Sequence, residues 1–384
     1  MFKRQLQASL QADLAKKMVW LVGPRQSGKT TLARSLAMPT PQRYYNWDID
    51  SDRRLLLASE LDPDARLWIL DEVHKFRTWR NWLKGLYDAH HANHAILVTG
   101  SARLDLYGRG GDSLQGRYYL HHLHPLTLSE ACGVLQPSHD PWGEMPAADS
   151  AGLQDGLVAL MRLGGFPEPF ASASEREASR WRLSYGARLV REDVRDLEAV
   201  QDLARLELLY DRLGQVVGSP LSINALREDL EVAFATVKKW LAIFERLYAT
   251  IQLPPYGPAR IKAVKKESKL YLWDWARVDD EAARFENLVA IHLMAYVHWL
   301  ADVHGIKAEL RYFRTPKGQE VDFILLKDRK PWVAVEVKLD DRPLDPNLKY
   351  FLERVPTPFA FQVSLRGRKD ALLAPINGCR VRSM

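Results

Sequence analysis

Gly23-Pro24-Arg25-Gln26-Ser27-Gly28-Lys29-Thr30, followed by Thr31, fits the pattern G-x-x-x-x-G-K-[ST]. The flanks settle how it is read. Met18-Val-Trp-Leu-Val22 before it is a short apolar strand, and a helical run from Thr30 to Ala37 follows. In a strand–turn–helix of this kind, consecutive backbone N–H groups curl around phosphate oxygens. The helix N-terminus adds positive partial charge. Lys29 is placed to reach the β and γ phosphates of a nucleotide, and the Thr30 hydroxyl to join a Mg²⁺ shell. The competing reading, an ordinary strand-to-helix turn, is disfavoured by these flanks.

Two further apolar strands lie beyond the loop, Arg66–Leu70 and Ala95–Thr99. The first ends in Leu67-Trp-Ile-Leu-Asp-Glu72. Asp71 at a strand end can hold Mg²⁺ through water, and Glu72 can orient the attacking water. Taken alone, such an acidic pair is a solvated loop start; beside a phosphate loop it becomes a catalytic pair. The next strand runs into Thr99-Gly-Ser-Ala-Arg103, which places Ser101 near the γ phosphate. Strands separated by helical stretches imply an α/β fold with a parallel sheet and helices on its faces. Pro, Ser, Asp and Gly dominate residues 136–152 without periodicity, so the first sheet region ends just before them.

A chain of 384 residues exceeds one ordinary core, so two or three domains are expected. Its 47% hydrophobic and 27% charged residues are those of a soluble globular protein and exclude long disorder or collagen-like repetition. Two cysteines, Cys132 and Cys379, make no disulfide framework and lack metal-ligand spacing. Residues 1–17 carry charge throughout and contain no apolar signal core. The most apolar long stretch, Asn287 to Val303, includes His292 and His298 and reads as a buried helix rather than a membrane span. A cytoplasmic protein with no membrane partner is expected. Net charge is +6, and from Tyr256 onward there are 23 Lys/Arg against 17 Asp/Glu, while the preceding residues balance at 31 each. A basic surplus confined to the last third suggests a polyanionic partner, against the blander reading of a solvated basic surface.

The segments GPRQSGKTTL, WILDEVHK, LVTGSAR and LQGRYYLHHLHPLTLSE resemble the AAA+ ATPases, in particular the bacterial and archaeal branch with a C-terminal DUF4143 region. GGFPEPF, LVREDVRDL and KLYLWDW continue the resemblance over nearly the whole chain. It implies ATP and Mg²⁺ as cofactors, Gly23–Thr30 as Walker A, Asp71-Glu72 as Walker B and Ser101 at the sensor 1 position, where many AAA+ proteins have Asn. It implies a homo-oligomeric ring, a hexamer, in which a neighbour's arginine completes each site. Arg117 in Gly116-Arg117 stands where that arginine is expected, and Arg109 is the second candidate; a surface arginine is the alternative for both. Arg162 and Arg188 are both possible as the sensor 2 arginine. The expected organisation is an ATPase core over 1–135, a helical lid over 153–213, a winged helix-turn-helix over 214–270 and a nuclease-like α/β domain over 271–384. The resemblance implies DNA processing on duplex or branched DNA; a nucleotide-dependent switch or assembly protein is the alternative.

Leu221–Leu230, with Ser222 as N-cap, and Phe234–Leu247 make the helix pair. Tyr248–Leu253 and Arg260–Val264 are the expected wing strands. Lys238 and Lys239, with Lys262, Lys265, Lys266 and Lys269, are candidate phosphate contacts. Trp240 either joins them or packs in the core. A long helix over about Asp279–Trp299 precedes strands Glu309–Arg314, Glu320–Leu326 and Trp332–Lys338. Asp322 would lie opposite Glu336 and Lys338 in a hairpin, and two converging carboxylates make a Mg²⁺ site in which the lysine polarises water. With Glu286 on the preceding helix as a further ligand, this is similar to the PD-(D/E)xK nuclease pattern, although Val-Asp stands for Pro-Asp. An inactive nuclease fold is the alternative. His121, His122 and His124 lie on a strand with neighbours pointing to opposite faces, and read as structural rather than metal-binding.

Overall fold

The computed structural model describes residues 2–36, 41–100, 114–134, 140, 150–194, 202–257, 267–367 and 370–384. Strands β1 (Met18–Val22), β2 (Gln42–Asn46), β3 (Leu67–Asp71), β4 (Ala95–Gly100) and β5 (Tyr118–His122) form a parallel sheet in the order β2-β3-β4-β1-β5. β1 and β3 are buried along their whole length, as strands covered on both faces must be. The period of two divides them between two cores. Val19, Leu21 and Ile69 face the helices Gln7–Leu14 and Lys29–Ser35, whereas Trp20, Val22 and Leu70 pack towards Leu83 and Leu86 of the helix Trp79–His90. β2 was not among the expected strands. Its sequence, Gln-Arg-Tyr-Tyr-Asn, is polar because it forms the sheet edge.

The segment expected to be a lid contains helices Ser150–Leu163, Pro167–Ser172 and Glu175–Arg188, interrupted as expected at Gly164-Gly165. The helix pair follows at Ile223–Leu230 and Phe234–Arg246, and the Ser222 hydroxyl accepts the Ala225 N–H at 3.2 Å. The wing differs from expectation. β6 (Thr250–Leu253) pairs antiparallel with β7 (Lys269–Leu272), and residues 260–264 lie outside the described residues.

The C-terminal segment opens on the helix Glu281–His304, which runs past the expected Trp299 until Gly305 ends it in the left-handed conformation. β8 (Ala308–Arg314), β9 (Glu320–Lys327) and β10 (Lys330–Lys338) form an antiparallel meander. The helix Pro346–Leu352 then carries the chain to β11 (Phe359–Ser364), parallel to β10. β12 (Ala371–Ile376) and β13 (Cys379–Ser383) complete the order β12-β13-β11-β10-β9-β8. One apolar cluster continues from Trp20 and Trp68 through Trp240 and Phe244 to Phe323 and Val335, so the segments share a core.

The three histidines make contacts within the fold. His121 Nε2 lies 2.9 Å from Asp13, His122 Nδ1 lies 2.9 Å from Asp302 on the long helix, and His124 meets His298 at 3.1 Å. Among the described residues, no helix is long and apolar enough to cross a membrane.

Candidate functional site

The phosphate loop is shaped by where its backbone passes. Gly23 has φ 148°, and a Cβ there would sit 2.1 Å from the carbonyl oxygen of Leu123, just past β5. No side chain fits so close an approach. Gly28, at φ 95°, turns the chain into the helix Lys29–Ser35. Lys29 Nζ lies within the loop, donating to the carbonyls of Gly23 at 3.0 Å and Pro24 at 2.7 Å. At the ends of neighbouring strands, Asp71 collects three hydroxyls. Thr30 Oγ1 donates to its Oδ2 at 2.9 Å, Tyr44 OH to the same oxygen at 2.7 Å, and Thr99 Oγ1 to Oδ1. Burial and the Asp71 charge raise the Tyr44 phenol well above its ordinary value, which keeps it a donor.

Glu72 follows with φ 56°. Burial, with the adjoining Asp71, pushes its carboxyl up to about 7 against the pull of Lys29. His74 Nε2 lies 3.5 Å from it, and burial takes this imidazole down to about 4, so it is neutral at neutral pH. A cavity of about 710 Å³ opens beside Lys29, Thr30 and Glu72. Its walls are Arg25, Gln26, Gly28–Leu32, Ser35 and Glu72 on the loop side, Phe2–Arg4 and Gln7 from the N-terminal segment, and Pro167, Glu168 and Ala171 from the lid. Arg4, itself buried, ties this arrangement together. Its guanidinium donates to the Ser27 carbonyl at 2.9 Å, to Glu130 at 3.1 Å and to the His124 carbonyl.

In the C-terminal cluster, Asp322 and Glu336 are brought side by side on β9 and β10, since Phe323 pairs with Val335. Asp322 Oδ2 accepts the Val337 N–H at 2.9 Å. Glu336 pairs with Lys338 at 2.7 Å, and Lys338 also reaches Asp345 at 2.8 Å. Burial, then Glu286 and Glu336, hold the Asp322 carboxyl well above the carboxylate range; burial pushes Glu336 up to about 7 despite Lys338. Glu286 faces Asp322 across the Lys269 ammonium, which lies 3.8 Å from Asp322. It accepts from Tyr271 OH at 2.6 Å and from Lys269 Nζ at 3.0 Å. Among the described residues, no three His, Cys, Asp or Glu side chains form a group able to hold a metal ion.

Residues 15–132 match the family model of an AAA domain, and residues 282–371 match the domain of unknown function DUF4143. The chain thus carries an AAA domain followed by a DUF4143 domain. Residues 154–277 match another domain of unknown function, DUF8612, which spans both the lid and the helix pair. The uncharacterised protein Rv2008c of Mycobacterium tuberculosis is 25% identical over 337 residues, covering 85% of this chain and 71% of its own. The Mycobacterium bovis protein Mb2031c gives the same figures. Among solved structures, RuvB of Thermotoga maritima is 16% identical with a TM-score of 0.34, over 66% of this chain and 90% of that one. An Orc1 protein of Aeropyrum pernix, solved in complex with DNA, is 16% identical with a TM-score of 0.31, over 77% and 94%.

Within the AAA domain, Lys29, Thr30, Asp71 and Glu72 come together as the motifs require, while Ser101 and Arg109 lie outside the described residues. Arg117 holds Asp88 of its own chain in a two-point contact, at 2.7 and 3.0 Å. In the lid, Arg162 pairs with Glu175 and Arg188 reaches the Ser184 carbonyl; neither lines the cavity. Lys238 and Lys239 are exposed on the second helix of the pair, whereas Trp240 is buried core. Lys262, Lys265 and Lys266 lie outside the described residues. Lys269 is corrected: it has no exposed surface and cannot meet DNA, because β7 turns it inward among carboxylates. Arg4, Tyr44 and Thr99 were missed. Thr99 alone left a signal, as the last polar residue of a buried strand beside the Asp71 strand.

Proposed function

We propose that the protein hydrolyses ATP and couples hydrolysis to work on duplex or branched DNA, as a cytoplasmic homo-oligomeric ring, a hexamer. The observation that carries the reading is the placement of Lys29, Thr30 and Glu72 in the wall of one nucleotide-sized cavity, with Asp71 held 2.9 Å behind the Thr30 hydroxyl. The donor set fits a hard cation: Thr30 and Asp71 offer oxygens 2.9 Å apart beside the loop lysine. They would hold Mg²⁺, which neutralises phosphate charge when bound with the nucleotide. Lys29 exchanges its loop carbonyls for phosphate oxygens. Glu72, buried and poised near neutrality, orients the water and takes its proton. Arg117 leaves Asp88 to reach a neighbour's site. Exposed Lys238 and Lys239 support phosphate contact by the helix pair.

The second reading is a nucleotide-driven switch whose C-terminal domain is an inert nuclease-like fold. It is favoured by the Lys269 ammonium, which lies 3.0 Å from Glu286 and 3.8 Å from Asp322, between carboxylates that a metal would need. ATP turnover measured alone and with single-stranded, duplex and four-way-junction DNA separates the two. Several-fold stimulation supports the motor. No stimulation, with no DNA affinity at low salt, overturns it in favour of the switch.

A further inference from the structure

Lys269 is the most enclosed charged side chain of the C-terminal half, with a relative exposure of 0%. Its ammonium lies 3.0 Å from Glu286 and 3.8 Å from Asp322, and forms an ion pair with Glu320. Three carboxylates therefore surround one buried nitrogen. The enclosure has further walls. Tyr271, on the same face of β7, donates to Glu286 at 2.6 Å. Behind Glu286 runs the backbone of Gly218, where a Cβ would come within 2.9 Å of the carboxylate. Glu320 is also held by Arg314 at 2.7 Å.

A divalent ion needs oxygens converging at about 2.0 to 2.6 Å on one point. Here the point among Glu286, Glu320 and Asp322 is taken by nitrogen. We infer that Lys269 is the resident cation of this cluster: its ammonium stands between Glu286 and Asp322, two of the carboxylates expected to hold a metal, and clasps β7 to the DUF4143 region instead of supporting hydrolysis. Three elements meet at the clasp, because the lysine comes from β7, Glu286 from the long helix, and Glu320 and Asp322 from β9. The inference is independent of the ATPase reading.

Mn²⁺ titration of the full chain without nucleotide, followed by electron paramagnetic resonance, tests it. The wild type is expected to bind no Mn²⁺ that Asp322→Asn removes. Lys269→Ala is expected to melt several degrees lower, to gain one Mn²⁺ site, and to recover melting temperature as that site fills. Adding Asp322→Asn to Lys269→Ala should abolish the site. Mn²⁺ bound by the wild type and lost in Asp322→Asn would overturn the inference, as would a folded Lys269→Ala that binds none. If Lys269→Ala does not fold, the wild-type comparison with Asp322→Asn decides the matter.

Discussion

Arg4 shows how much of the nucleotide site rests on one buried guanidinium. It joins the N-terminal segment to the phosphate loop at Ser27 and to Glu130, 126 residues away in sequence. Arg4→Ala leaves Glu130 buried without its cation, although Gln5 and Thr127 N–H groups still reach it. The expected loss is about 3 kcal/mol of stability, at the low end for a broken buried pair, read by urea unfolding. A loss within error of zero would show that the N-terminal segment is not fastened here. The contrast with Lys29, Thr30, Asp71 and Glu72 is physical. Those residues were legible because phosphate binding imposes a local spacing on a strand, a turn and a helix. Arg4 and Tyr44 act through tertiary contacts, and no local pattern announces a distant partner.

At the scale of elements, the apolar strands β1, β3 and β4 were legible because a parallel sheet buried on both faces needs uninterrupted apolar runs. The edge strand β2 has no such run, and its loss from the sequence reading hid Tyr44. Ser222 marked its helix start correctly, since a hydroxyl there satisfies an N–H that the helix leaves open. Lysine-rich sequence after β6 suggested a charged wing, but pairing of Leu253 with Lys269 turns that lysine into the protein. Composition cannot reveal such a register. The helix Phe234–Arg246 has Lys238 and Lys239 outward and Val237, Trp240 and Leu241 inward, and is the element proposed to meet phosphates. Reversing both charges, Lys238→Glu with Lys239→Glu, should weaken DNA binding and reduce the salt slope of log affinity by about 1.8. Fluorescence anisotropy across a salt series reads both quantities, and an unchanged slope would remove this helix from the DNA interface.

In the whole molecule, the AAA sheet and the DUF4143 region are not beads on a string. β5 lies against the long helix through His122 and Asp302, while Leu123, one residue further, closes over Gly23 of the phosphate loop. A continuous apolar cluster carries the contact onward to β9 and β10. Assembly is the next level, and Arg117 is its probe. Arg117→Ala should keep nucleotide affinity and lose turnover. Mixed with Lys29→Ala subunits, it should regain some activity, since some interfaces then pair an intact loop with an intact arginine. No regain in demonstrated mixed oligomers would assign Arg117 to its contact with Asp88 alone. The central claim, that this chain is an ATP-hydrolysing enzyme with Glu72 as its base, is met most directly by comparing ATP binding and steady-state turnover in the wild type and Glu72→Gln. The account predicts affinity retained within a few-fold and turnover reduced at least about 100-fold; full turnover in Glu72→Gln would contradict it.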